Sequence, residues 1–324
     1  RCLEVSPGKD TSTGHWEMMC CPLESAFPVF PDGFPPEVIQ PFLQATGLPG
    51  VLCNSTASGT AVIDELGEEH IASGKPIVYT SADSVFQVAA HEEHFGLERL
   101  YEICRIAREI LVPCGLGRVI ARPFVGEPGE FRRTYNRKDY SLEPPAETAL
   151  DVISGAGIEV LGIGKISDIF AGRGVTQDHH TEGNRDGMRK TIELARSQGG
   201  EFERGLLFLN LVDFDMLYGH RRDPLGYRRA LEEFDVDLRE LESCLRPGDL
   251  VILCADHGND PTVDVSTDHT REYTPILVTG PSVRAGADLG TRTSMADIGA
   301  TVCEALGVDS PGSGVSFLAA ATGL

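Results

Sequence analysis

The stretch Asp256-His257-Gly258-Asn259-Asp260, followed by Asp268-His269, concentrates side chains that bind divalent metals. A second group, Asp213-Phe214-Asp215 and then His220, has the same make-up. Carboxylate and imidazole donors without thiolates suit Mn²⁺, Zn²⁺ or Mg²⁺, and the imidazoles count against Mg²⁺. Each group follows an apolar run, residues 250–254 and 206–212, that reads as a buried strand. Two strands delivering Asp and His at their carboxyl ends predict a two-metal site at the rim of an open α/β sheet.

The candidate ligands are Asp215, His220, Asp256, His257 and His269. Taken singly, a loop His is usually solvated and an Asp after a strand is usually a cap. Taken together, at two strand ends and one following loop, they argue for metal. Two catalytic ions need about three or four protein ligands each, so a further carboxylate and a further oxygen ligand are expected. The chain opens at Arg1 without an initiator Met, and the expectation is an upstream segment that carries the carboxylate. His15, His70, His91, His94, His179 and His180 lack a strand-end placement and are set aside as background.

The elements that must position these groups follow from periodicity. After Pro145, strands at 160–163, 206–212, 250–254 and 275–278 alternate with helices. One helix spans 187–197, and a second carries the stripe Leu231, Phe234, Leu238, Leu241 and Leu245. Ser294-Met295-Ala296-Asp297 reads as a capping box opening a helix that ends near Gly307. The alternation predicts a mostly parallel sheet with helices on both faces. Prolines crowd between Pro22 and Pro49 and again at Pro144-Pro145. Between these joints lies a segment with its own α/β pattern: strands at 76–80 and 117–124, and an amphipathic helix over 97–111 with Leu100, Ile103, Ala107 and Ile110 on one face. The expected division is a catalytic core of residues 1–23 and 146–324 with an inserted substrate-binding cap of residues 24–145.

Composition narrows the function. The 324 residues carry a formal net charge of −21, which argues against nucleic acid or an anionic membrane as partner. A phosphorylated small molecule stays compatible, because a few local cations and metal ions can hold it. No apolar stretch is long enough to span a bilayer, and there is no signal-peptide pattern. The nine cysteines are irregularly spaced and form no CxxC, as expected of reduced thiols in a cytoplasmic protein. Arg118, Arg122, Arg132, Arg133 and Lys165 are a cationic cluster in an otherwise acidic chain, suited to phosphate. The segment from Gly8-Lys9-Asp10-Thr11 to Gly14-His15-Trp16 joins one cation to three hydroxyls ahead of a helix, an arrangement that serves either as an ordinary capped start or as a hydroxyl presented to metal and phosphoryl group.

Seven motifs in order give the chain a specific resemblance. They are Gly8-Lys9-Asp10-Thr11-Ser12-Thr13-Gly14-His15-Trp16-Glu17, Tyr79-Thr80-Ser81-Ala82-Asp83-Ser84-Val85, Arg118-Val119-Ile120-Ala121-Arg122-Pro123-Phe124, Gly164-Lys165-Ile166-Ser167-Asp168, Asn210-Leu211-Val212-Asp213-Phe214-Asp215, Asp256-His257-Gly258-Asn259-Asp260-Pro261 and Thr267-Asp268-His269-Thr270-Arg271-Glu272-Tyr273. Over essentially its whole length the chain resembles the phosphopentomutases of the alkaline phosphatase superfamily. The resemblance implies that Thr11 is the residue phosphorylated during turnover. It implies that Asp256 and His257 bind the metal that touches Thr11, and that Asp215, His220 and His269 bind the second. It also implies phosphate contacts from Arg118, Arg133 and Lys165, and sugar contacts from Ser81 and Asp83. Two Mn²⁺ ions, activation by a sugar bisphosphate, pentose phosphate substrates and a monomer or weak oligomer complete what it implies. In that family an opening strand supplies one more aspartate ligand, in keeping with the ligand count above. The rival readings are a cofactor-independent phosphoglycerate mutase-like enzyme or phosphatase of the same superfamily, and a non-catalytic fragment. The Lys9-Asp10-Thr11 threonine and the arginines of the 118–122 strand speak for the pentomutase.

Overall fold

A computed structural model describes residues 1–81, 84–197, 204–266 and 268–323. The chain divides into two compact units, one of residues Arg1–Ala26 with Glu143–Leu324 and one of residues Phe27–Leu142. Along the chain, helix α1 (Thr11–Met18) opens the first unit. The second unit then runs α2 (Pro36–Thr46), β1 (Leu52–Thr56), α3 (Ala61–Ser73), β2 (Ile77–Thr80), β3 (Val85–His91), α4 (Leu97–Ile110), β4 (Arg118–Val125), β5 (Arg132–Arg133) and β6 (Lys138–Ser141). The first unit resumes with α5 (Ala149–Gly155), β7 (Glu159–Ile163), α6 (Ile166–Ile169), β8 (Gln177–His179), α7 (Asn184–Arg196), β9 (Gly205–Leu209), α8 (Pro224–Glu242), β10 (Val251–Cys254), β11 (Ile276–Thr279), α9 (Ala296–Ala305) and α10 (Leu318–Thr322).

In the first unit β7 pairs in parallel with β8 on one side and β9 on the other. β10 pairs with β11, and here the direction is antiparallel, an exception within the mostly parallel arrangement expected from the alternation of elements. β9 and β10 are half-buried at every position, where their apolar runs predict burial. Among the described residues each has a single hydrogen-bonded neighbour strand, so one lateral edge contributes no cover. The core is assembled instead around α1, α5, α6 and α9, with Trp16, Leu150, Ile153, Ile166, Phe170, Ile298 and Phe317 almost inaccessible. The Trp16 indole also donates to the Ile169 carbonyl at 3.0 Å, so burial leaves its N–H satisfied.

The helix stripe on α8 forms as its spacing demands with two exceptions, one of them Leu245, which falls past the helix end at Glu242. Phe234, Leu238 and Leu241 pack against Met188 and Ile192 of α7, but Leu231 is 49% exposed. The capping box at 294–297 does not close. Ser294 Oγ accepts the Ala296 amide, but the Asp297 carboxylate is taken by Arg292 and by the Val315 amide. A true box sits at Thr148 and Asp151, at the head of α5. A charged guanidinium within 2.6 Å outcompetes the local backbone amide for Asp297.

The second unit is a mixed sheet in the order β1-β2-β3-β4-β5, with β6 also on β4. α4 lays Leu100, Ile103, Cys104 and Ala107 into the core formed with Phe42, Phe86 and Val119. No helix among the described residues is long and apolar enough to cross a membrane.

Candidate metal centre

Asp215 and His220 are brought together by a local departure from α-geometry. Residues Phe214–Gly219 form a π-helical turn, in which the His220 amide bonds the Asp215 carbonyl at 3.0 Å. The five-residue spacing stacks the two side chains, and His220 Nε2 lies 3.2 Å from Asp215 Oδ2. Such turns recur at functional sites because they rotate side chains onto a shared face.

The second group leaves the end of β10 and returns toward β11. The Gly258–Thr270 bridge closes the base of this excursion, with the Thr270 amide donating to the Gly258 carbonyl at 2.9 Å. The bridge sets the His257 and His269 rings 3.9 Å apart, centroid to centroid. His269 Nε2 is 3.3 Å from Asp215 Oδ1 and 3.2 Å from His220 Nε2, so the two groups meet. Donor atoms of Asp215, His257 and His269 all lie within 4.8 Å of one another.

Helix α1 approaches from a third direction. Gly14 makes this possible: a Cβ there would stand 1.8 Å from the Asp256 carbonyl oxygen. Asp10 caps the helix, accepting from the Thr13 amide at 3.1 Å and from the Thr13 hydroxyl at 2.5 Å. Thr13 is thus committed to the cap and buried, and Ser12 is buried as well. Thr11 is the hydroxyl that faces the cluster, with Oγ1 at 3.4 Å from His257 Nε2. One turn on, His15 Nδ1 lies 2.9 Å from the Thr11 carbonyl and 3.2 Å from Asp256 Oδ2. Sequence reasoning sets His15 aside; its i+4 spacing from Thr11 on one helix face was the signal that could have found it. Lys9 completes this side, its Nζ 2.7 Å from Asp268 Oδ2 and 2.7 Å from the His269 carbonyl. By contrast, His70 and His91 are structural: His70 Nε2 accepts the His91 amide at 2.9 Å while Nδ1 meets the Lys75 carbonyl at 2.7 Å.

The electrostatics suit a cation. Burial alone would push the Asp215 carboxyl up, but hydrogen bonds and charge from His220 and His269 outweigh it and hold the group far below the usual carboxylate range. Burial is likewise outweighed at Asp256, which His257 and His15 hold low. His257 moves the other way: burial would lower it, and the Asp256 and Asp215 carboxylates raise it above an ordinary imidazole. The carboxylates thus favour a proton on His257, and a divalent ion would replace that proton. The donor set of oxygens and imidazole nitrogens, converging within metal-binding distance, fits divalent cations.

The remaining candidates are distributed over both units. Lys165 is exposed at the head of α6 in the first unit. In the second unit Ser81 follows β2, Arg118 opens β4, and Arg133 is exposed on β5. Asp83 lies outside the described residues. Arg122 shares a face of β4 with Arg118 and donates to Gln87 Oε1 at 3.0 Å. Burial, reinforced by Arg137 and Arg133, pulls the Arg122 guanidinium down to about 10. Arg133 lies against the same spot as the Tyr79 hydroxyl, since a Cβ on Gly59 would meet each at 2.3 Å. This face therefore gathers guanidinium charge, with Asp139 as the carboxylate among it.

The family model for the Metalloenzyme superfamily matches residues 8–310. A phosphopentomutase of Anaeromyxobacter sp. (strain K) is 58% identical over 322 residues, covering 99% of this chain and 81% of that protein. The phosphopentomutase of Symbiobacterium thermophilum is 58% identical over 314 residues, 96% of this chain and 78% of that protein. That of Carboxydothermus hydrogenoformans is 56% identical over 97% of this chain and 79% of its own length. A solved structure, PH0037 protein from Pyrococcus horikoshii, aligns over 92% of this chain and 83% of its own at 13% identity and a TM-score of 0.46. With identity above one half over nearly its whole length, this chain belongs to the phosphopentomutase family of the Metalloenzyme superfamily.

Proposed function

We propose that the chain interconverts the 1-phosphate and 5-phosphate of ribose or deoxyribose through a phosphorylated Thr11. The observation that carries this reading is the Thr11 hydroxyl at 3.4 Å from His257, at the edge of the carboxylate–imidazole cluster. Asp256 and His257, with Thr11, are the residues to hold one divalent ion, and Asp215, His220 and His269 the other. Mn²⁺ suits this mixed oxygen and imidazole set. When bound, the ions supply charge neutralisation for phosphoryl oxygens and for the attacking and leaving alkoxides.

The chain's own groups do the positioning. The N-terminus of α1 directs backbone N–H groups and a favourable dipole toward a phosphoryl group on Thr11. His15 orients the Asp256 carboxylate. A free hydroxyl of the sugar monophosphate attacks phosphorus in line; a new P–O bond forms, the bond to Thr11 Oγ1 breaks, and the sugar's proton ends on Oγ1. The resulting bisphosphate returns its other phosphate to Oγ1 in the reverse step. A sugar bisphosphate primes the unphosphorylated enzyme. Arg118, Arg133 and Lys165 are assigned to the sugar's phosphate, and Ser81 and Asp83 to its hydroxyls. The nine cysteines are all free, as suits a cytoplasmic enzyme.

The test is direct. Purified protein, with Mn²⁺ and a catalytic amount of pentose bisphosphate, is assayed on ribose 1-phosphate and in parallel on 3-phosphoglycerate. Ribose 5-phosphate formation with no phosphoglycerate isomerisation is expected. Turnover of phosphoglycerate alone, or simple release of inorganic phosphate, would refute the assignment.

A further inference from the structure

One guanidinium ties together the segments that bring Asp215, His220 and His269 into reach of one another. Arg222 follows the π-helical turn and has φ 54°, a left-handed conformation that a non-glycine residue rarely takes. Its side chain donates from Nη1 to the Gly219 carbonyl at 3.1 Å, to Asn259 Oδ1 at 2.9 Å and to the Asp260 carbonyl at 2.9 Å. Nε donates to the Ser266 carbonyl at 2.8 Å, and Nη2 to the Asp268 carbonyl at 2.8 Å and to Ser266 as well. Two consequences bear on the ligands. With Asn259 Oδ1 held by Arg222, the Asn259 amide nitrogen is turned to donate to Asp215 Oδ1. With the Asp268 carbonyl held, the next residue, His269, is fixed with Nε2 at 3.3 Å from the same Asp215 Oδ1. Gly219 leaves room for this relay, because a Cβ there would stand 2.4 Å from Asn259 Nδ2.

We propose that Arg222 is a positioning residue for the divalent ion held by Asp215, His220 and His269, acting through Asn259 on the carboxylate and through the Asp268 carbonyl on the imidazole. This rests on the metal reading above. Outer contacts of this kind set ligand orientation and typically change metal affinity by about 10–100-fold. The planar fork of five donors is what spans these acceptors; a lysine ammonium has three donors at one point and cannot. The left-handed backbone is where the fold accepts strain to aim the fork.

The test measures binding, not turnover. Metal-stripped protein carrying His257→Ala, which disables the Thr11-side ion, is titrated with Mn²⁺ while free Mn²⁺ is followed by electron paramagnetic resonance. Adding Arg222→Lys is expected to weaken Mn²⁺ binding by about tenfold or more, with the apo melting curve showing a folded protein. Arg222→Gly should show the same loss and regain affinity with millimolar methylguanidinium. Affinity within about twofold of the His257→Ala parent, or a loss that methylguanidinium fails to repair, overturns the role of Arg222. If neither variant folds, Asn259→Ala decides it: weakened binding supports the relay and parent-like binding overturns it. A parent that takes up no Mn²⁺ refutes the metal reading itself, and with it this inference.

Discussion

Thr11 Oγ1 stands 3.4 Å from His257 Nε2, so the first residue of one helix faces the ring that leaves the end of a strand far along the chain. Of the three neighbouring hydroxyls it is the one so placed, because Thr13 is spent on the Asp10 cap and Ser12 is buried. Thr11→Ala should therefore abolish phosphoryl transfer while Mn²⁺ content stays close to that of the parent. Labelling with a phosphate-labelled pentose bisphosphate should leave the variant unlabelled. Retained turnover would remove Thr11 from its role.

The His220 and His269 rings share Asp215, with contacts of 3.2 and 3.3 Å to its two oxygens. His269→Ala should release the ion on this side first and leave the one beside Thr11 bound more tightly. Elemental analysis after dialysis against a weak chelator checks it. Both ions remaining tight would show that the ligand assignment is wrong.

His15 is 3.2 Å from Asp256 Oδ2 and buried, behind a carboxylate assigned above to the Thr11-side ion. His15→Phe keeps the bulk and removes that contact. Mn²⁺ affinity beside Thr11 should fall by about 10–100-fold, read by calorimetric titration in a His269→Ala background. Unchanged affinity would reduce His15 to core packing.

Glu17 is fully buried and gathers donors from two distant segments: the Val5 and Ser6 amides and Ser6 hydroxyl from one, and the Ser294 hydroxyl and Met295 amide from the other. Glu17→Gln would replace one acceptor oxygen by an NH₂ group facing those donors. Leaving buried donors unmatched should cost roughly 2–4 kcal/mol of stability. Urea unfolding at constant pH measures it, and a loss below about 0.5 kcal/mol would show that the network re-forms.

Glu4 supplies the pH dependence. Its side chain is 3% exposed, 3.6 Å from Arg271, and Oε1 has no hydrogen-bond partner among the described residues. Burial pushes its carboxyl up to about 7 against the pull of Arg271. A folded pKa above the unfolded one means that the folded chain holds the proton longer. The resulting stability is full below the unfolded value of 4.5 and is lost as pH rises through about 7. Glu4→Gln should therefore raise the thermal midpoint relative to the parent at pH 8 and make little difference at pH 4.5. An equal shift at both pH values would contradict it.

Much of this arrangement was open to reading along the chain, because strand and helix periods and Asp/His spacing are local. The apolar stripe of α4, the strand ahead of Asp256 and the pairing of Asp215 with His220 in one group follow from residues a few positions apart. The seven motifs, read in order, carried the family itself.

What periodicity could not supply depends on contacts between distant segments. It gave no sign that β11 runs antiparallel to β10, that Asp297 turns to Arg292, or that Leu231 leaves the buried stripe. Nor did it separate His15 from the other histidines, since its worth lies in Asp256, which only the close approach of α1 at Gly14 provides. The residue types along the chain settled which chemistry was available. Packing decided which donors converge, because ligation needs atoms within a few ångströms and only the closed fold sets those distances.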